Sequence, residues 1–295
     1  MSLSVPSRAG TSWRLPRIST WATLSISVVF GMVFVLPLIL LLGLSFYTFV
    51  QPGVFTPDFT LNNYLRALTE PYALSVLFTS LRIALLTTLG ALILGLPLAM
   101  FIAREKGRLP KLVLIVLAAA LFTNLVVRAY GWMIVIAPRG ILNTVAVGSG
   151  VIDTPLRLLG TESGILIALI QEMLPVFVFM SASAIQDVDR SLEEAAAIVG
   201  AGWFRIFCRV VLPVAAPGIT TGCLLVFLMS LGTFVVPEFL GAGRVLTMAT
   251  LIRQLIAKVI NYPFAAALAV SLVLIMLAGL AVCAVGAALA RRMQR

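Results

Sequence analysis

The sequence contains no histidine and only three cysteines in 295 residues. Without imidazole the commonest general base is missing, and so is the ligand that most zinc sites rely on. Cys208, Cys223 and Cys283 are widely spaced, one in a polar loop and two in apolar runs, which indicates neither a disulfide framework nor a metal cluster. Charge is scarce as well, at 11% of residues against about 25% in soluble domains. Lysine occurs only at Lys106, Lys111 and Lys258, and none of them closes a G-x-x-x-x-G-K-[ST] loop, so the chain has no P-loop for nucleotide phosphates. The four aspartates (Asp58, Asp153, Asp187, Asp189) lie outside the apolar runs, which argues against an enzyme working inside the membrane.

What is present is hydrocarbon. Hydrophobic residues make up 61% of the chain, and the mean hydropathy is +1.12. A membrane-crossing helix needs about 20 apolar residues, and six candidate spans meet that requirement: 21–48, 76–103, 112–136, 163–185, 213–240 and 264–290. The first run is too long for a signal-peptide core and lacks a small-residue cleavage site, so it is expected to stay as an anchor. A net charge of +10 would suggest nucleic acid in a soluble chain; here it reads as topology and no nucleic-acid partner is expected. With the N-terminus placed in the cytoplasm, segments 1–20, 104–111, 186–212 and 291–295 hold thirteen of the 21 Lys and Arg, and the outer segments hold six. The positive-inside rule therefore puts both termini in the cytoplasm. The connecting segments are too short for a soluble domain. The expected organisation is an N-terminal tail (1–20), one membrane domain (21–290) and a C-terminal tail (291–295).

One polar interruption stands out: "SLEEAAAIVGAGWFRIFCRVVLPVAAPG", Ser191 to Gly218, on the cytoplasmic side. Ser191 with Glu194 three residues on has the capping-box pattern, which predicts a helix starting there. Good helix formers then run to Gly200, and Gly200 and Gly202 both suit the positive φ of a helix end. A second short helix is predicted over Trp203–Val211, stopping at Leu212–Pro213. The product is an exposed helix pair with small Ala195, Ala196 and Ala197 on its surface, which lets another surface approach closely.

The spacing Glu194-Ala195-Ala196, three residues, Gly200, nine residues, then Val210-x-Leu212-Pro213 resembles the EAA motif of permease subunits in binding-protein-dependent ATP-binding-cassette (ABC) importers. Val210 stands where the family often has Ile. The resemblance implies an all-α integral membrane fold with six transmembrane helices of the type I ABC importer permease (MetI-like) class. It also implies a cytoplasmic coupling helix between helices 4 and 5, in segment 189–212, that sits in a groove of a separate ATPase. Glu193, Glu194, Ala195, Ala196 and Gly200 become ATPase-docking residues on that basis. The implied partners are a second homologous permease, two copies of a cytoplasmic ABC ATPase, a periplasmic solute-binding protein and the surrounding lipid. The chain itself would need no cofactor, because ATP and Mg would be bound by the ATPases, and it would reside in a bacterial inner membrane. "LVVRAYGWMIVIAPRGILN", Leu125 to Asn143, and "FVVPEFLGAG", Phe234 to Gly243, are similar to spermidine/putrescine-type permeases, specifically the first of their two permease subunits.

Charged residues within spans are costly and therefore candidates for function. Glu172 lies about 14 Å into its span at about 1.5 Å per residue, near the midplane. Pro175 follows and frees the carbonyl of Gln171. Glu172 either faces the pathway or is held by Arg82 or Arg128. Asn124, Arg128 and Trp132 recur every four residues and would share one helix face, either lining the pathway or, for Arg128 and Trp132, stacking as cation and ring. Tyr130 with Trp132 would otherwise form an interfacial aromatic belt. Arg82 is close enough to the outer end to snorkel, and Glu238 lies near the outer mouth. Carboxylates and aromatic faces at Tyr130, Trp132, Glu172 and Glu238 suit a polyamine. An unpaired Arg128 would favour an anionic or zwitterionic cargo instead. An ion-coupled secondary transporter using Glu172 is a further reading, but it leaves the EAA-like segment unexplained.

Overall fold

The computed structural model describes residues 20–293; the rest of the predicted N-terminal tail, and residues 294 and 295, lie outside them. The chain divides into two units, Met1–Gly43 and Leu44–Arg295. The first contributes α1 (Thr20–Leu44), an apolar helix with Pro37 inside it.

The second unit opens with a hairpin, β1 (Thr48–Gln51) paired antiparallel with β2 (Val54–Thr56). Its turn is Pro52–Gly53, with Gly53 at φ +78, the proline-then-glycine chemistry of a type II turn. Helices follow: α2 (Asn62–Thr69), α3 (Pro71–Arg104), α4 (Arg108–Phe122), α5 (Leu125–Ile136), α6 (Ile141–Gly148) and α7 (Glu162–Gln186). After them come α8 (Arg190–Ile198), α9 (Trp203–Ile206), α10 (Leu212–Gly232), α11 (Val235–Leu240), α12 (Met248–Gln254) and α13 (Tyr262–Met293).

Local chemistry sets several of these boundaries. Pro71 opens α3, where its missing amide would have been unpaired in any case. Thr161 caps α7 by accepting from the Gly164 amide at 3.3 Å. Interior prolines, Pro97 in α3, Pro175 in α7 and Pro217 in α10, are accommodated without ending their helices.

At the centre, α3, α7 and α10 pack on one another through small residues. Gly90 and Gly95 of α3 receive Ile170 and Phe177 of α7, so these two helices run parallel. Gly218 and Gly222 of α10 receive Ala184 and Met180, so α10 runs antiparallel to α7. Where lipid tails are as apolar as leucine, close backbone approach of this kind supplies the attraction. Three core clusters result. Phe177, Ile185, Val188 and Val211 anchor one near the end that carries α8; Leu231 and Leu268 anchor the second, and Ile136, Leu169 and Leu240 the third.

Five helical stretches among the described residues are long and apolar enough to cross a membrane: Pro71–Arg104, Leu125–Gly148, Glu162–Gln186, Trp203–Gly232 and Tyr262–Ala281. Within α1, Val28–Leu44 is a shorter apolar helix. Two of the predicted spans take a different form. The stretch 112–136 breaks at Thr123–Asn124 into α4 and α5, and 213–240 breaks at Thr233–Phe234 into α10 and α11.

Candidate coupling site and pathway residues

The polar interruption folds as a helix pair at one end of the bundle, but its start differs from the predicted one. Asp189, not Ser191, is the N-cap of α8, and its carboxylate accepts from the Ser191 amide at 2.9 Å. That amide, and then the Ser191 hydroxyl, hold the Asp189 carboxyl below its ordinary range. An Asp two residues upstream of a helix amide competes directly with a Ser cap, and the charge-assisted bond wins. Ser191 is thus inside the first turn and no Ser191–Glu194 capping box forms.

The other end of α8 is a Schellman motif. The Gly200 amide donates to Ala197 at 2.9 Å and the Ala201 amide to Ala196 at 3.1 Å. Gly200 has φ +80, as expected for this motif, whereas Gly202 has φ −67 and merely leads into α9. Glu194 and Ala195 are exposed, Ala196 is half-buried, and Ile198 and Val199 at the elbow are 86% and 82% exposed.

Glu193 turns the other way. It pairs with Arg104, the last residue of α3, at 2.5 Å. The sequence reading placed Glu193 with the docking surface; its side chain instead faces the bundle.

The second helix does not stop at Pro213. α9 passes through a π-turn, Phe207–Val211, directly into α10, with Pro213 in the first turn of α10. A widened turn ahead of the proline lets the chain continue where a regular α-turn would clash. Trp203 stacks on Phe207 with centroids 6.0 Å apart. Cys208, in the same π-turn, and Cys223, in α10, are free thiols; the Cys283 side chain lies outside the described residues.

Deeper in the bundle, Asn124, Arg128 and Trp132 follow one another along α5 as predicted, but the break between α4 and α5 gives them separate partners. Asn124 is the N-cap of α5, accepting from the Val126 and Val127 amides at 2.9 and 3.4 Å. Arg128 donates to the carbonyls of Ala120 and, at 3.3 Å, Thr123, both at the end of α4; the Ala120 carbonyl also accepts from the Thr123 amide at 3.4 Å. It does not stack on Trp132. Trp132 donates from Nε1 to Gln171 Oε1 of α7 at 3.1 Å, and Tyr130 lies against Phe239 of α11 with centroids 4.8 Å apart.

Glu172 is next to Gln171, and its Oε2 is buried with no hydrogen-bond partner among the described residues. Neither arginine expected as a structural partner pairs with it. Arg82 forms an ion pair with Glu162, and Arg128 is bonded to carbonyls at the end of α4. Glu238 of α11 pairs with Arg253 of α12. Among the described residues no group of histidine, cysteine or acid side chains is placed to hold a metal ion.

The sequence reading missed Asp189, Arg104, Gln171 and Arg253. Asp189 carried a signal, an acid just ahead of a helix-forming run. Arg104 was legible only as a topological charge, because its partner lies 89 positions away.

Comparison with known proteins agrees with the EAA-like spacing. The family described as "binding-protein-dependent transport system inner membrane component" matches residues 95–295. The spermidine/putrescine transport system permease protein PotB of Escherichia coli (strain K12) is 36% identical over 241 residues, covering 82% of this chain and 87% of that protein. PotB of Haemophilus influenzae is 33% identical over the same length, covering 84% of its own chain. Among solved structures, a chain of a bacterial ABC transporter that imports the acidic polysaccharide alginate superposes with a TM-score of 0.70 at 16% identity, over 93% of this chain and 96% of that one. A chain of the inward-facing MetNI methionine ABC transporter superposes with a TM-score of 0.59 at 18% identity, over 77% of this chain and all of that one.

Proposed function

Because this chain belongs to the binding-protein-dependent transport system inner membrane components, we propose that it is the transmembrane permease subunit of an ATP-driven importer and forms half of the pathway for a polyamine of the spermidine/putrescine class. The observation that carries the reading is the exposed elbow of α8, Gly200 and α9 in a chain with no nucleotide-binding loop of its own. A pump without a motor needs a rigid surface on which a motor can act. Glu194, Ala195, Ala196 and Gly200 form that surface, and segment 189–212 is the coupling segment within the membrane domain 21–290.

The partners are a second homologous permease completing the pathway, two cytoplasmic ATPases that bind ATP and Mg, and a periplasmic binding protein that delivers cargo. Both termini and α8 face the cytoplasm. Nucleotide-driven closure of the ATPases shifts the cavity from inward to outward by pulling on α8, since a conformational bias requires contacts that differ between the two states.

The cargo reading rests on the PotB relatives and on an unpaired carboxylate oxygen inside the bundle. A buried carboxylate oxygen in hydrocarbon requires a cation or a proton, and Glu172 Oε2 has no hydrogen-bond partner among the described residues. An ammonium group supplies one, with Trp132, bonded to Gln171 beside Glu172, offering an aromatic face, Tyr130 a second on the same helix, and Glu238, paired with Arg253, an acid close to the predicted outer mouth. The case for an anionic or zwitterionic cargo depended on an unpaired Arg128, and Arg128 is engaged by the α4 carbonyls.

Reconstitution tests this directly. Proteoliposomes holding this chain, the second permease, the ATPase and the binding protein are expected to accumulate spermidine or putrescine only with ATP. Accumulation driven by an ion gradient with this chain alone would replace the reading with secondary transport. ATP-driven import that excludes both polyamines would overturn the cargo assignment and leave the permease role intact.

A further inference from the structure

We propose that Arg104 is a positioning residue that fastens the coupling helix directly to span α3, so that the motor's pull reaches the centre of the bundle by a route the covalent chain does not provide. This rests on the importer reading above. By connectivity alone, α8 is joined only to α7 before it and to α9 and α10 after it. The Arg104 contacts add α3, which packs against both α7 and α10.

The joint is reciprocal. Arg104 Nη2 lies 2.5 Å from Glu193 Oε1 and donates to the Val188 carbonyl at 3.1 Å. In return, Arg190, the first residue of α8, donates from Nη2 to the Arg104 carbonyl at 2.9 Å. That carbonyl is among those a helix end leaves without a partner, so α8 caps α3 while α3 grips α8. Arg190 and Glu193 are three residues apart and share a face of α8. The two contacts therefore hold the helix at two points and resist its rotation.

Burial makes the pair more than a surface ion pair. The side chains of Arg104 and Glu193 are 13% and 21% exposed, and Val188 beneath them is buried with Ile102, Ala103, Ile185 and Val211. Arg104 Nε and Glu193 Oε1 are each buried without a hydrogen-bond partner, so the pair is held by charge rather than by a hydrogen bond, and the guanidinium depends on that charge and on the Val188 carbonyl for compensation. Removing one partner leaves a largely buried charge, which is far more disruptive than losing an exposed pair. Glu194, beside Glu193 in sequence, remains exposed. Of the two adjacent acids, one faces the span and the other faces outward, as a part that links motor to membrane requires.

The experiment is to reconstitute the complete complex and measure ATP hydrolysed per spermidine imported, with co-purification of the ATPase as the assembly control. Arg104→Gln and Glu193→Gln should each raise that ratio by about fivefold or more, the scale of a typical coupling free energy, while the ATPase still co-purifies. Because the two act as one joint, the double variant should be no worse than either single variant, and Arg104→Lys should recover part of the coupling. Single-variant ratios equal to that of the unmodified complex, or effects that multiply in the double variant, would overturn the assignment, as would loss of the ATPase from all three Gln variants with the ratio of Arg104→Lys no closer to normal. If the unmodified complex hydrolyses ATP but imports nothing, the importer reading itself fails, and that outcome is distinct because it appears before any substitution is made.

Discussion

A carboxylate in the hydrocarbon layer is stable only with a counter-ion, a proton or a full set of hydrogen bonds, and this gives Glu172 its meaning. Its position was legible in the sequence, because an acid within an apolar run of α7 has no packing rationale. Its surroundings were not. The spacing of Asn124, Arg128 and Trp132 suggested one polar face, but periodicity fixes where a side chain starts and not which partner it reaches. The break at Thr123 leaves backbone groups to be satisfied at that point: Asn124 becomes a cap, Arg128 turns back to the end of α4, and only Trp132 reaches α7, through Gln171. Glu172→Gln keeps the shape and removes the charge. It is expected to weaken spermidine transport about tenfold, the loss of roughly 1.5 kcal/mol from one charge-assisted contact, with the complex still assembling. Initial uptake rates against cargo concentration check this, and disassembly of the complex would assign Glu172 to packing instead.

At the scale of the element, α8 shows what local chemistry can and cannot reveal. The helix, its glycine stop and the short helix beyond were all readable, because Gly200 is followed by a second run of helix formers. The start was misjudged because two caps competed, and the carboxylate of Asp189 outbid the hydroxyl of Ser191. The continuation past Pro213 was misjudged because a π-turn relieves a clash that a regular helix cannot. Gly200 is the position where backbone conformation matters most. A left-handed residue costs about 1–2 kcal/mol for any side chain bearing a Cβ, and no atom lies within 4 Å of a Cβ placed there. Gly200→Val therefore acts through the backbone and through the proposed ATPase-docking surface, not through a clash with the described residues. It is expected to unwind the last turn of α8 and raise ATP hydrolysed per cargo, while Gly200→Asn, which tolerates left-handed φ, should retain more coupling. Equal coupling in both variants would show that the Schellman turn has no part in transmission.

For the whole molecule, a set of apolar runs long enough to cross a bilayer was legible, since bilayer thickness acts on composition alone; six runs were expected, and five such helices and a shorter one, Val28–Leu44, stand among the described residues. The hairpin of β1 and β2 and the breaks within two of the runs were not legible, because they depend on contacts between distant residues; the Gly53 amide, for instance, donates to Ile260 at 3.1 Å. Much apolar surface stays uncovered among the described residues, Phe122 being 91% exposed, as expected where lipid and the proposed second permease complete the packing. Orientation then decides whether the elbow can meet a cytoplasmic motor at all. In a background with Cys208, Cys223 and Cys283 replaced by serine, Ile198→Cys and Phe59→Cys provide two probes, the native side chains being 86% and 76% exposed. An odd number of crossings separates them if α8 is cytoplasmic and the hairpin region is external. A membrane-impermeant maleimide should therefore label Phe59→Cys in right-side-out vesicles and Ile198→Cys only in inside-out ones. The reverse pattern would place α8 where no ATP is available, and the coupling assignment would fall with it.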